Sequence, residues 1–243
     1  MLIVSGDDFG RNPLATENTA KCYVAGLLTS ASSMVFMKGS ESAAELARAY
    51  LMETGLHLNF SLPFNGPGLS DRLCQYQSLT IRYFRHGRWF RYVYNPFLVR
   101  AFDFLFKSQY EEYYRLYQQE PTHIDGHHHL HLCMNMCVNH VIPFGLRVRR
   151  NFTFEKKEKS FGNRTYRRIL GLWLARHYLC TDYFFGVEPE FDSLRMQRII
   201  SLSGFATVEV MVHAENPNTF RYLNSRKYHD LLSFAVIGNF GHL

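Results

Sequence analysis

The sequence predicts an α/β fold with mainly parallel strands, and three observations predict it. Short apolar runs alternate with stretches whose apolar residues recur at helical spacing. Connections as far as Phe60 are short, the rhythm of strand–helix–strand units. Residues fitted for chemistry fall where the apolar runs end, the edge at which parallel sheets carry their ligand sites.

In chain order, residues 1–5 read as a buried strand that runs into an acidic turn, Asp7-Asp8-Phe9-Gly10. Asn12 and Pro13 supply a cap and a first-turn proline for a helix over residues 14–25, and Gly26 stops it. Residues 28–35, rich in small and β-branched side chains, predict the second strand; 41–52 predict a helix and 55–60 the third strand. Pro63, Gly66, Pro67 and Gly68 predict a long loop over 62–80, after which 97–119 reads as a long aromatic-rich helix. The fourth strand is expected at 123–127 and the fifth at 145–149, with a helix over 134–140 between them. The charged run Glu155-Lys156-Lys157-Glu158-Lys159 predicts an exposed loop. A helix over 163–177, a strand near 182–185 and a strong strand over 207–212 follow. No internal repeat or low-complexity segment interrupts this order.

Length and composition set the bounds. A chain of 243 residues buries one sizeable core, so one domain over 1–243 is expected, with a loop and helical excursion at about 62–120. No stretch approaches the roughly 18 to 20 apolar residues of a membrane span, and the first apolar run is too short for a signal peptide. A cytoplasmic address is expected. Five scattered cysteines without a C-x-x-C pair predict reduced thiols, and Cys133 with Cys137 fits helix-face packing better than metal ligation. The sequons at Asn59, Asn151 and Asn163 carry no meaning in that compartment.

The chemistry concentrates in residues 121–131, which hold His123, His127, His128, His129 and His131 around Asp125. Neutral imidazoles beside a carboxylate are what a divalent metal of borderline softness prefers. In a strand the side chains alternate faces, so His123, Asp125, His127, His129 and His131 share one parity and His128 the other. Gly126 implies that the strand ends close by, so some of these residues support the site or touch substrate instead of the ion. His127, nearest the strand end, is the expected ligand. Asp7 and Asp8 after the first strand, His57 in the third and His213 after the last bring further candidates to the same rim. His127 and His131 imitate a helical metalloprotease pair, but His128 stands where that motif needs glutamate. Asp8-Phe9-Gly10 imitates a kinase magnesium motif without the glycine-rich loop that must precede it.

With these residues in view, the chain resembles the YdjC/ChbG family of carbohydrate deacetylases. That family carries an N-terminal D-D-F-G, a G-x-H-x-N/L segment, an H-x-D-x-H-x-H-x-H block and a late V-E-x-M-x-H. Here they stand as Asp7 to Gly10, Gly55 to Asn59, His123 to His131 and Val208 to His213, and residues 26–35 match the family's G-x-x-T-S-x-S-x-M-V. The resemblance implies a distorted (β/α) barrel resembling a TIM barrel, which removes the N-acetyl group from an amino sugar or oligosaccharide with one divalent ion, zinc or magnesium. It implies Asp8, His57 and His127 as metal ligands, Asp7 as general base and His213 as general acid. Asp125, His129, Asn59 and an arginine, Arg149 in preference to Arg147, would contact substrate or support those residues. Ser5-Gly6, Phe36 and Ala214-Glu215 depart from the family's usual residues at the rim. An esterase or other amidase on the same barrel, or a non-catalytic metal or saccharide binder, is the alternative reading.

One stretch stands outside that pattern. Residues 82–92 interleave arginines with aromatics and help to raise the net charge to +6. Flat rings stack on sugars and arginines pair phosphates, so the segment suits an anionic or lipid-linked saccharide at a membrane surface, a neutral oligosaccharide, or packing in a homodimer. No nucleic-acid motif accompanies it.

Overall fold

The computed structural model of the chain describes residues 1–154, 158–186 and 193–243. Six strands form one sheet: β1 (Leu2–Phe9), β2 (Ser30–Ser33), β3 (Thr54–Leu58), β4 (Ile124–Gly126), β5 (Tyr183–Gly186) and β6 (Val208–Val212). Every pairing is parallel, in the order β4-β3-β2-β1-β6-β5. β1 therefore lies inside the sheet, with Leu2 opposite Val208 and Ser5 opposite Ser30.

The sheet curls into a half-barrel whose two surfaces differ in chemistry. Leu2 and Val4 of β1 and Val208, Val210 and Val212 of β6 pack outward against Met196, Ile199, Ile200 and Tyr228. The alternate residues Ser5, Asp7 and Glu209 face inward, where the period of two places them together on Arg149. A second and larger apolar cluster joins Phe9, Leu56 and Leu58 to Phe60, Phe102 and Leu105.

The helices are α1 (Pro13–Val24), α2 (Ser40–Ala49), α3 (Asp71–Arg85), α4 (Val99–Tyr117), α5 (Met134–Val138), α6 (Phe161–His177), α7 (Ser193–Ser203), α8 (Pro217–Leu223) and α9 (Arg226–Leu232). Asn12 caps α1 by accepting from the Ala15 amide at 2.9 Å. α3 corrects the expected loop over 62–80. Ser70 accepts from the Leu73 amide at 3.2 Å and starts a helix where the glycines and prolines have already ended. Glu155 to Lys157 of the expected charged loop lie outside the described residues. Among the described residues no helix is long and apolar enough to cross a membrane.

The expected fifth strand is also corrected. Residues 145–149 form single bridges instead of a strand, because each amide finds a different neighbour. Arg149 donates its amide to Ile124 at 3.0 Å, Ile124 donates to Arg147 at 2.8 Å, and Val148 donates to Leu179 at 2.9 Å. Thr153 then donates to Phe184 at 2.8 Å. This segment joins the β4 edge of the half-barrel to the β5 edge and carries Arg149 into the interior.

Candidate active site and metal centre

β1 delivers two consecutive aspartates to one site, which a regular strand cannot do because neighbours point to opposite faces. The strand bulges instead: its register with β2 shifts between Gly6 and Phe9, and Asp8 adopts φ 62°. Aspartate tolerates this left-handed conformation better than most residues. Gly10, at φ 87°, completes the turn; a Cβ there would lie 2.8 Å from the Met34 carbonyl oxygen. The acidic pair expected as a turn after the strand thus belongs to the strand itself.

Asp8, His57 and His127 come together, all buried, with one ligand atom from each inside a 4.8 Å cluster. Asp8 Oδ1 lies 2.9 Å from His127 Nδ1 and 3.3 Å from His57 Nε2. His57 Nδ1 lies 2.8 Å from Asp125 Oδ1, so Asp125 fixes the ring that turns Nε2 toward Asp8. One carboxylate oxygen and two imidazole nitrogens, oriented from behind, are a donor set that fits a divalent cation. A second grouping, Asp7, His57 and Asp125, shares its carboxylates with the Arg149 guanidinium, whose fixed charge opposes a cation there.

Arg149 is fully buried and organises the inner face. Its terminal nitrogens bind Asp7 bidentately at 2.7 and 2.8 Å, and Nε donates to Glu209 at 2.5 Å. It also pairs with Asp125 and donates to Ser5 at 3.1 Å. Arg147 instead reaches the carbonyls of Gly241 and Leu243.

Burial opposes ionisation of Asp8, yet hydrogen bonds from His127 and His57 outweigh it and hold the carboxyl far below the usual carboxylate range. Burial likewise opposes charge on His57, but Asp125 and Asp8 push it up to about 10. Burial, reinforced by Arg149 and His131, holds His129 well below the ordinary imidazole range; burial and His127 lower His128 to about 4.

The remaining expected residues separate. His213 lines the same cavity of about 1620 Å³ as Asp7, Asp8, His57 and His127. His129 lines it too, but its ring packs on Phe152 at 4.5 Å. Shared parity does not extend past β4: His128 and His129 sit at φ 54° and 56° and turn the chain, leaving His131 to meet the Arg149 carbonyl at 3.0 Å. His123 stacks on Phe240 and contacts Ser32 at 3.0 Å, a framework role. Asn59 spends its side chain on the loop after β3, accepting from the Ser61 and Leu62 amides and donating to the Leu62 carbonyl.

Arg11 escapes sequence reasoning, which marks Glu215 only as a departure at the rim. Arg11 donates to Asp8 Oδ2 at 2.7 Å and to Glu215 at 2.6 Å, leaving Asp8 Oδ1 to the histidines. Only the spacing of three from Asp8 hints at it, and Glu215 is 204 residues from Arg11.

A model of the YdjC-like protein family matches residues 1–229. The chain belongs to the YdjC-like family. Similar curated proteins include the carbohydrate deacetylase of Mus musculus, 33% identical over 74% of this chain and 57% of the mouse protein. The carbohydrate deacetylase of Homo sapiens is 34% identical over 56% of this chain and 42% of its own length. The chitooligosaccharide deacetylase of Proteus mirabilis is 31% identical over 54% and 50% respectively. The YdjC-like chain thus spans about half the length of the curated relatives it matches. Its fold resembles the crystal structure of an Enterococcus faecalis protein provisionally named for cellobiose-phosphate cleavage. That match has a TM-score of 0.71 at 16% identity and covers 99% of this chain and 97% of the other.

Proposed function

We propose that this chain is a divalent-metal-dependent hydrolase that removes the N-acetyl group from an amino sugar or oligosaccharide. The observation that carries the reading is the Asp8, His57 and His127 cluster on the floor of a large cavity, beside an Asp7 that Arg149 holds by both oxygens. The names of the mammalian and bacterial relatives support the substrate class.

When bound, a zinc or magnesium ion supplies positive charge that acidifies water and polarises a carbonyl. Asp8, His57 and His127 would hold it, with Asp125 orienting His57. Asp7 accepts the proton of the attacking water, and Arg149 positions the receiving carboxylate. His213, half-buried in the cavity wall, donates a proton to the departing amine, a step typically worth about 10² to 10⁴-fold. His129 and the aromatic wall, including Trp89 and Tyr92, shape the space for sugar rings.

The test is acetate release from N-acetylglucosamine oligomers, alongside an O-acetylated sugar, by metal-stripped protein with zinc, magnesium or no ion restored. Ion-dependent release from the N-acetylated sugars is expected. Release only from the O-acetylated sugar would replace the reading with an esterase. Asp7→Asn should keep the ion and lose turnover, whereas Asp8→Ala and His127→Ala should lose the ion; undiminished turnover in Asp7→Asn would refute the assigned base.

A further inference from the structure

We propose that the rim of the cavity is a docking surface for the headgroup layer of an anionic lipid bilayer. Residues 72–102 contain Arg72, Arg82, Arg85, Arg88, Arg91 and Arg100 and no aspartate or glutamate. Residues 159–181 contain Lys159, Arg164, Arg167, Arg168 and Arg176, again without an acid. The two stretches meet in space. Tyr92 and Tyr166 pack edge to face at 5.4 Å, and the cavity mouth is lined by Arg85, Arg88 and Trp89 from one stretch and Asn163 and Tyr166 from the other.

Part of this charge has no carboxylate partner among the described residues. Among the described residues no carboxylate pairs with Arg85, Arg88 or Arg91, and Arg91 donates only to the carbonyls of Arg88 and His128. Glu158, the acid next to the second stretch, is taken by Arg195 at 3.1 Å.

The same two stretches carry large apolar side chains in solvent, Trp89 of the cavity lining among them. Trp89 is 78% exposed, Phe97 92% and Phe161 78%. Arg82, Arg85, Arg88 and Arg91 recur every third residue with no acid among them, and Trp89 and Tyr92 stand exposed beside them. That mixture matches the bilayer boundary, where rings enter the acyl edge while guanidinium groups stay among phosphates. The sign of the charge selects anionic lipid. The surface shares Trp89 and Tyr92 with the cavity wall but none of the residues that would hold the metal, so it does not rest on the deacetylase reading.

The experiment is sedimentation of the intact chain with vesicles of phosphatidylcholine alone or mixed with phosphatidylserine. Tryptophan quenching by brominated lipid is measured in parallel. The chain has two tryptophans, and Trp173 packs against His177 at 4.8 Å, so Trp89 is the reporter. Binding to the anionic vesicles only is expected, with quenching that disappears in Trp89→Phe. Arg85→Gln with Arg88→Gln should weaken that binding about 25-fold, about fivefold for each arginine, from about 1 kcal/mol per charge near the surface. Melting curves verify that these exposed substitutions leave the fold intact. The proposal is overturned if neither vesicle sediments the protein, if both do so equally, or if the double variant binds as the wild type. Quenching that persists in Trp89→Phe overturns it too. Binding without quenching, displaced completely by single-stranded DNA, would replace the bilayer with a soluble polyanion.

Discussion

Replacing Glu209 by glutamine isolates the cost of sharing one guanidinium among too many carboxylates. Glu209 is fully buried; Oε1 accepts from Arg149, while Oε2 has no hydrogen-bond partner among the described residues. Arg149 also serves Asp7 and Asp125. Burial, with Asp125 and Asp7 adding repulsion, outweighs Arg149 and raises the Glu209 carboxyl from 4.5 to about 7. At about 1.4 kcal/mol per pH unit, the ionised form is disfavoured by about 3 kcal/mol relative to the unfolded chain. Because the folded value is raised, the stabilising effect is complete below about pH 4.5 and is lost as pH rises through about 7. Glutamine removes that slope. Between pH 4.5 and 8 the Glu209→Gln protein should therefore gain on the wild type by about 3 kcal/mol, or about 6 to 12 °C in melting temperature for a chain of this size. Thermal unfolding of both proteins across that range, with a chelator present, measures the difference. Two curves that run parallel in pH would refute the reasoning.

Other outcomes follow from the same geometry. Arg149→Met strands buried carboxylates and should cost about 3 to 5 kcal/mol, read as a large fall in melting temperature; an unchanged melt would contradict the ion-pair network. With His57 raised to about 10, zinc binding at pH 8 must displace a proton. Calorimetric titrations in two buffers of different ionisation heat should show close to one proton released, and none would count against His57 as a ligand. Gly55→Ala would drive a Cβ to 2.3 Å from the His123 ring, which Ser32, Thr122 and Phe240 hold in place. A loss of about 1 to 3 kcal/mol is expected in denaturant unfolding, and wild-type stability would mean that the ring moves aside.

Much of the architecture was legible because strand and helix periods are strong signals where one face is uniformly apolar. α3 was not, for a physical reason: its buried positions include Gln77 and Thr80, so the apolar stripe that betrays a helix is broken. The Asp8, His57 and His127 cluster was readable from residue type and strand ends, but the geometry that brings its side chains together was not. Strict alternation separates Asp7 from Asp8 and aligns His127 with His129, and the left-handed residues Asp8, His128 and His129 reverse both outcomes. Glu209 sat in view within the late motif, yet its competition with Asp7 and Asp125 exists only once the segment around Arg149 crosses between the sheet edges. Arg11 and Glu215 illustrate the same limit, since their contact depends on β1 and β6 ending side by side.

That adjacency has a consequence for biosynthesis. β1 leaves the ribosome first among the strands, but one of its two neighbours, β6, begins 206 residues later, with Val208 opposite Leu2. At about 5 to 20 residues per second, one backbone edge of β1 waits roughly 10 to 40 s for its partner. During that interval the acidic pair has no assembled cavity around it, and the strand has an open side on which another nascent chain can pair. Chaperone dependence and the yield of recombinant protein should therefore respond to translation speed across the middle of the chain.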